Sequence, residues 1–265
     1  MPFDSNAIDR DRLISVIERV SALGFGSVTL GGGDPFQYKF LPCVVKRAKE
    51  LDLFVHIDTH AVTLSENESN ATLVQGSVDL IGLPLDGASC YTHDLMRGYP
   101  GHYAIIRSKI NWLKLKNANI KLNTMVSSVN RSELNEIGKL VSRLQPGRWS
   151  IYQFWPVGPA KKAAHRHYLD EQTFSECVRE IDFNALANVT SVEINAAESR
   201  RRTYPILNHD GEVYVHHEYP ADYFQYIGSI FDAAISSKLD DLCGVERVQA
   251  ASRYNLGGVR RQERA

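Results

Sequence analysis

The chain has 265 residues, of which 43% are hydrophobic and 23% are charged, so it is long enough to bury a core and has the composition of a globular protein. Its 30 Lys and Arg residues almost balance its 31 Asp and Glu residues, for a formal net charge of −1, which argues against a nucleic-acid-binding protein because a phosphate backbone calls for a basic surface. No apolar run approaches the roughly 20 residues that a membrane-spanning helix needs, so we expect no membrane partner.

The first part of the chain alternates between amphipathic helical segments and short apolar strands. The elements predicted from this alternation are, in chain order, a helix at 9–23, a strand at 27–30, a helix at 37–50, a strand at 53–57, a helix at 66–75, a strand at 78–85, a loop at 86–100, a helix at 101–116, a strand at 120–126, a helix at 131–144 and a strand at 149–154. Strands separated by helices pair in parallel through right-handed crossovers. The sequence therefore predicts an α/β fold with five parallel strands before residue 156.

The pattern changes after the fifth strand. The predicted elements there are a helix at 171–187, a strand at 189–194, a β-hairpin of strands 204–207 and 212–216 around an Asp-Gly turn, a helix near 221–237 and a loose polar tail at 257–265. We interpret 1–160 as the core of a partial barrel and 161–265 as a C-terminal extension that packs on it, in one structural unit.

Unusual residues follow several of the predicted strands, at the ends where parallel α/β folds bind ligands. The first strand runs into Gly31-Gly32-Gly33-Asp34-Pro35, whose glycines let a backbone approach a ligand closely. The further candidate binding residues at strand ends and in the loops beyond them are Thr59, Asp86, Arg97, Asn123, Pro156 and Val157. Each also has a plain structural explanation: a triple glycine is most often a turn, Asp86 could close a turn, and Arg97 could be a surface arginine.

These residues resemble a known family in their order and spacing. Gly32-Gly33-Asp34-Pro35 resembles the Gly-Gly-Glu-Pro motif of radical S-adenosylmethionine (SAM) enzymes, with Asp in place of Glu. The segments that are similar to later strands of that family are 81–98, 121–130 and 149–158. The resemblance covers about residues 10–160 and implies an open partial (β/α) barrel of the TIM-barrel type that lacks its first strand, with a C-terminal extension that contains the β-hairpin.

The resemblance also implies roles for the candidate residues, with SAM as the cofactor. The backbone of Gly32, Gly33 and Asp34 would hold the methionyl amine of SAM, and Asp86 would face its ribose. Arg97 would take the SAM carboxylate, Asn123 would also contact SAM, and backbone groups near Pro156 and Val157 would cradle the adenine. No catalytic residue and no metal ligand is assigned. The phrase 146–149, followed by Tyr152-Gln153, is similar to the viperin-like branch, which acts on nucleotides.

The cysteines depart from the family pattern. The four cysteines of the chain are widely separated: Cys43, Cys90, Cys177 and Cys243. The family holds a 4Fe-4S cluster with a Cys-x3-Cys-x2-Cys loop, which would precede the helix at 9–23, and three close thiolates are needed to leave one iron open for SAM. We therefore expect a 4Fe-4S cluster only if a missing N-terminal segment supplies the cysteines. Scattered thiols also fit a reducing compartment, so we predict a soluble, cytoplasmic protein.

Three functions remain open, each with a small-molecule ligand. The chain could be a truncated or mis-started radical SAM enzyme, or a naturally cluster-free homologue that binds SAM or a nucleoside as a non-redox enzyme or a partner protein. It could also be an unrelated barrel enzyme that uses Asp34, Asp58 and Asp86 with histidines for acid–base or metal chemistry.

The predicted sheet begins with the strand at 27–30, so the outer edge of that strand has no neighbouring strand. We therefore expect residues 2–8 near this edge, self-association or a partner chain there, or poor solubility of the chain.

Overall fold

A curled sheet of six parallel strands organises the structure, a computed structural model that describes residues 8–156, 158–186, 189, 191–200, 205–216 and 224–243. Its strands are β1 (Ser27–Leu30), β2 (Phe54–Asp58), β3 (Leu80–Pro84), β4 (Ile120–Val126), β5 (Arg148–Gln153) and β6 (Ser191–Asn195). They lie side by side in chain order, with β1 and β6 at the two edges. The predicted open partial barrel is therefore confirmed, because every neighbouring pair is parallel.

Helices cover the convex face of this sheet. The described helices are α1 (Arg10–Ala22), α2 (Leu41–Glu50), α3 (Glu68–Gly76), α4 (Cys90–Arg97), α5 (His102–Leu115), α6 (Leu134–Leu144), α7 (Ala164–His167), α8 (Glu171–Arg179) and α9 (Ile235–Cys243). Of these, α9 packs on a second sheet described below. Across the described ranges, none of them combines the length and the apolar character that crossing a membrane requires.

The two faces of the sheet differ in chemistry. Ile57, Leu83 and Leu122 are fully buried in the apolar core between the sheet and the helices. Because side chains alternate along a strand, their neighbours in sequence lie on the opposite, concave face. His56 and Asp58 of β2 lie there, so the concave face is polar where the convex face is apolar.

A second, smaller sheet follows the barrel. It is antiparallel and consists of β7 (Ile206–Leu207), β8 (Glu212–His216) and β9 (Phe224–Ser229). The predicted hairpin is confirmed, since β7 pairs with β8 and Gly211 in the turn has a positive φ of 89°.

Helix α1 lies between the two sheets. Ile17 packs into the main core, whereas Val16 and Val20 form a separate cluster with apolar residues of β8 and β9 such as Val213 and Ile227. The Arg12 guanidinium adds a polar contact, because its Nη2 donates to the Asp210 carbonyl oxygen over 2.7 Å. The small sheet is thus held against the barrel through one helix.

Three details of the predicted elements were wrong. The loop at 86–100 contains α4, which Ser89 caps at its start and Gly98 ends with a φ of 61°. The helix at 171–187 ends at Arg179. Of the helix predicted near 221–237, residues 224–229 instead form the strand β9, because they pair with β8, and α9 begins only at Ile235.

The division of the chain at residue 160 stays a prediction, and the parallel sheet itself continues past it through β6. Association along the outer edge of β1 also stays a prediction. Most of the segment 2–8 expected at that edge, and the whole tail at 257–265, lie outside the described residues.

The turn at Gly211 provides a test of how the small sheet packs. A Cβ at this position would lie 2.8 Å from the Phe231 ring and 2.9 Å from Ile230, and the φ is positive. We expect Gly211→Ala to lower the free energy of unfolding by about 3 kcal/mol or more, because backbone strain of about 1–2 kcal/mol adds to overpacking. Gly24→Ala is the matched control: its φ is 83° and the space around it is open, so strain alone applies. Urea unfolding measures both free energies. If both variants lost the same free energy of unfolding, the close packing of Phe231 and Ile230 on Gly211 would be contradicted.

Candidate functional site

The glycine segment after β1 has a left-handed backbone. Gly32 and Gly33 have positive φ values of 79° and 58°, a conformation that favours glycine. Both residues are exposed. Within the described part of the chain, their backbone N–H and C=O groups take part in no hydrogen bond. These groups are therefore free to meet a ligand at the rim.

Asp34, the next residue, faces inward and is buried. Its Oδ1 accepts from the Thr59 hydroxyl over 2.6 Å and from the Phe36 N–H over 3.4 Å. Its Oδ2 accepts from the Thr63 N–H over 3.4 Å. The Thr59 hydroxyl also accepts from the Ala61 N–H over 2.8 Å. Asp34 and Thr59 thus join the loop after β1 to the loop after β2.

Asp86, beyond the end of β3, is the centre of a second group of contacts. Its Oδ2 lies 2.6 Å from Nε of Arg97, and its Oδ1 accepts from the Met125 N–H over 2.7 Å. The Asn130 amide donates to the carbonyl oxygen of Asp86 over 2.8 Å. The Asp86 carboxylate therefore ties the ends of β3 and β4 to α4, and both its oxygens are engaged.

A chain of buried histidines continues from Asp86. The Asp86 N–H donates to Nδ1 of His93 over 3.1 Å, which places the proton of neutral His93 on Nε2. That nitrogen is 2.8 Å from Nδ1 of His102, whose Nε2 is 3.0 Å from the His60 carbonyl oxygen. The contacts are consistent with two neutral rings that each carry the proton on Nε2. The chain connects α4, α5 and the loop after β2.

A belt of polar contacts crosses the concave face at Gly82 of β3. The Asn123 amide nitrogen donates to Oδ1 of Asp58 over 2.8 Å, although these residues lie on β4 and β2. A Cβ at Gly82 would lie only 1.8 Å from Oδ1 of Asp58, so this contact requires glycine. Nε2 of His56 is 3.2 Å from the same oxygen, and Nδ1 of His56 is 3.2 Å from the Thr29 hydroxyl.

The belt favours an ionised carboxylate at Asp58. Burial opposes the charge, but His56, Lys121 and the Asn123 amide together hold the pKa of Asp58 below its usual value. Burial also lowers the pKa of His56. On the far side of Asn123, the Lys121 ammonium lies 3.1 Å from the Tyr152 hydroxyl. The concave face therefore contains ionisable groups fixed by hydrogen bonds.

The structure brings the predicted site residues together in three neighbouring groups. Asp34 contacts Thr59, Asp86 contacts Arg97, and Asn123 contacts Asp58, while Pro156 follows the end of β5. Val157 lies outside the described residues. Whether these residues bind SAM stays a prediction.

The roles of Gly82 and of the buried Asn130 were not predicted, and Asp58 was predicted to act only in an unrelated barrel enzyme. A glycine inside an apolar strand is a signal of close approach, and it could have pointed to the belt.

The buried histidines predict how stability depends on pH. Burial lowers the pKa of His93 to about 4 and also lowers that of His102, whereas histidine in an unfolded chain titrates near pH 6.5. The unfolded chain therefore binds more protons between these values. We expect the free energy of unfolding to fall as the pH drops from about 6.5 to about 4, by up to about 3 kcal/mol from His93 alone. Urea unfolding at several pH values measures this. His93→Gln should flatten the dependence, and an unchanged slope would contradict the assignment.

Comparisons with known proteins give sequence relatives over part of the chain. An S-adenosylmethionine-dependent nucleotide dehydratase of Lacinutrix mariniflava is 25% identical over 153 residues, which are 57% of this chain and 32% of the relative. A protein of the same name from Flammeovirga pacifica is 24% identical and covers 64% and 59%. An AdoMet-dependent heme synthase of Oleidesulfovibrio alaskensis is 26% identical and covers 55% and 37%. The chain thus spans about a third to three fifths of the length of these relatives. No family model matches it.

Solved structures share the fold over nearly the whole chain. SuiB of Streptococcus suis, bound to its precursor peptide SuiA, superposes with a TM-score of 0.70 at 14% identity, over 92% of this chain and 61% of SuiB. The enzyme anSMEcpe with bound AdoMet superposes with a TM-score of 0.69 at 15% identity, over 93% of this chain and 75% of anSMEcpe. At these identities the structures show the fold alone. The partial barrel and the SAM-dependent names of the sequence relatives fit the radical SAM superfamily.

Proposed function

We propose that the chain binds SAM at the carboxyl ends of its parallel strands and is part of a radical SAM enzyme. The observation that carries the proposal is the free backbone of Gly32 and Gly33, two exposed residues of positive φ at the rim. Backbone N–H and C=O groups in such a segment suit the ammonium and carboxylate of a methionyl group. The SAM-dependent names of several relatives support the choice of ligand.

A second observation favours a ligand beside these glycines. Oδ1 of Asn123 is buried and has no hydrogen-bond partner among the described residues, and a buried acceptor without a partner is costly. Its amide nitrogen is fixed by Asp58, so the orientation of the amide is set. Ligand donors could satisfy this oxygen. SAM supplies the radical chemistry of the family when it is bound beside an electron-donating cluster.

The cysteines of this chain do not fit a 4Fe-4S cluster. Cys43 on α2 and Cys90 on α4 are exposed, Cys177 on α8 is buried, and Cys243 ends α9. In the part of the chain that the structure describes, no three His, Cys, Asp or Glu side chains form a group that could hold a metal ion. Radical chemistry would therefore need cluster-binding thiolates from outside these 265 residues.

A cluster-free homologue that binds SAM or a nucleoside remains the alternative within this proposal. An unrelated barrel enzyme loses its support, because the sheet is open and the sequence relatives are SAM-dependent enzymes. The substrate is not assigned, since the relatives are named as nucleotide dehydratases, heme synthases and a PqqA peptide cyclase. The viperin-like branch and the cytoplasmic location remain predictions.

Gly32→Ala tests the proposed site directly. A Cβ at Gly32 would meet no atom within 4 Å, and its φ is 79°, so the methyl group would point into the space that a ligand would use. We expect the Kd for SAM, measured by calorimetry, to rise about tenfold, because the strained backbone must shift by an energy of about 1–2 kcal/mol.

Gly24→Ala is again the matched control. Gly24 has a φ of 83° and open surroundings, but it precedes β1, at the end of the sheet opposite the rim. Both variants should lose similar stability, and only Gly32→Ala should lose affinity. Absence of any SAM binding by the unaltered chain, or equal affinities in both variants, would contradict the proposed function.

The cysteine placement gives a second test. We expect the chain of 265 residues, reconstituted with iron and sulfide under reducing conditions, to hold no 4Fe-4S cluster, because its cysteines belong to four separate helices and are far apart in sequence. Iron and sulfide analysis with visible absorption spectroscopy measures this. A broad absorption band together with stoichiometric iron and sulfide would show that the thiols assemble in a way that the structure does not indicate.

A further inference from the structure

Three carboxylates stand at the rim after β1, β2 and β3, and they differ in what their oxygens contact. Both oxygens of Asp34 accept hydrogen bonds within the loops. Both oxygens of Asp86 are engaged, one by the Met125 N–H and one by Arg97. These two side chains are also almost fully buried, so neither offers an oxygen to a ligand.

Asp58 is different. Its Oδ1 receives both the Asn123 amide and the contact from His56, whereas its Oδ2 has no partner among the described residues. The Asp58 side chain is 39% exposed, so the second oxygen is open to the space on the concave face. The contacts from Asn123 and His56 therefore fix Oδ1 of Asp58 and leave Oδ2 accessible to a ligand.

The Lys121 ammonium stabilises the charge on Asp58, but from beyond ion-pair distance. No Lys or Arg nitrogen of the described residues lies within ion-pair distance of it, and His56 is its only basic neighbour at that range. His56 is buried, and burial lowers its pKa. A carboxylate with such surroundings favours a cation.

Asp58 also lies beside the glycine segment. A Cβ on Gly31 would be 3.8 Å from Cβ of Asp58, so the exposed carboxylate adjoins the residues that the proposed function assigns to the methionyl end of SAM. That end of SAM carries an ammonium, a carboxylate and the sulfonium, so it has one net positive charge, whereas the same end of the S-demethylated product, S-adenosylhomocysteine, lacks the sulfonium and has none.

We propose that Asp58 contacts the positively charged end of SAM and makes the site prefer SAM over S-adenosylhomocysteine. The inference rests on the proposed function, since it requires SAM at the rim. It assigns the ligand-facing negative charge to Asp58 and not to Asp34, the acidic residue of the glycine motif.

Asp58→Asn isolates the charge. The amide has the same shape, and its oxygen can accept from Asn123 and His56 as Oδ1 does, while its nitrogen replaces the free oxygen. We expect the Kd for SAM, measured by calorimetry at low ionic strength, to rise about tenfold, with a much smaller change for S-adenosylhomocysteine. Glu136→Gln on α6 removes one negative charge from an exposed ion pair with Lys139 and should change neither Kd.

The outcomes separate the two proposals. If the unaltered chain binds neither ligand, the proposed function fails. If it binds SAM and Asp58→Asn loses affinity for both ligands equally, or for neither, the role of the Asp58 charge is wrong. If Asp58→Asn does not fold, as judged by thermal unfolding, the preference of the unaltered chain for SAM is measured against salt concentration. That preference should shrink as salt screens the charge, and a preference independent of salt would overturn the inference.

Discussion

The hydrogen bond from Asn123 to Asp58 passes over β3 only because residue 82 has no side chain. A Cβ at Gly82 would stand 1.8 Å from the Asp58 oxygen and 2.9 Å from the Asn123 nitrogen. The contact sets the orientation of both side chains, and His56 is within reach of the same carboxylate oxygen. Polar groups in such a place are costly unless they are satisfied, so the whole belt across the concave face depends on the space above Gly82.

This belt contrasts with the other face of the same strands. The convex side packs apolar residues such as Ile57 and Leu122 against the helices, and burial of this kind is the main source of folding free energy. The concave side instead holds His56, Asp58 and Lys121 in fixed positions, which contributes little to hydrophobic stability. Departure from apolar packing on one face of a stable sheet is typical of a functional site.

Much of the fold could be predicted from sequence because its signals are local. The strands at 27–30 and 120–126 were predicted to the residue, since turns and helices bound these short apolar runs clearly. The strand β9 was missed because its pairing with β8 decides between helix and strand, and pairing is not visible in one segment. The contacts of the candidate site could not be predicted for the same reason, because they also depend on how distant strands pair.

The contacts of the site depend on the register of several strands. The positive φ of Gly32 and Gly33 is a conformation that glycine permits, and the sequence predicted only that this backbone could approach a ligand closely. The contact between Asp58 and Asn123 joins residues 65 positions apart and needs the register of β2, β3 and β4 together. Sequence order alone could place both residues at strand ends, but it could not show which carboxylate oxygens remain open.

The carboxylates of Asp34 and Asp58, at the ends of neighbouring strands, have different contacts. An Asp side chain is short and bonds readily to backbone N–H groups close to it in sequence, and Asp34 caps the turn at Pro35–Gln37 through the Phe36 N–H. Its other contacts hold the loop after β2, so its charge is used within the protein. The end of β1 then offers a neutral backbone surface, and the adjoining end of β2 supplies the negative charge through Asp58. The two strand ends thus use their carboxylates differently, since Asp34 joins the loops and Asp58 leaves one oxygen open.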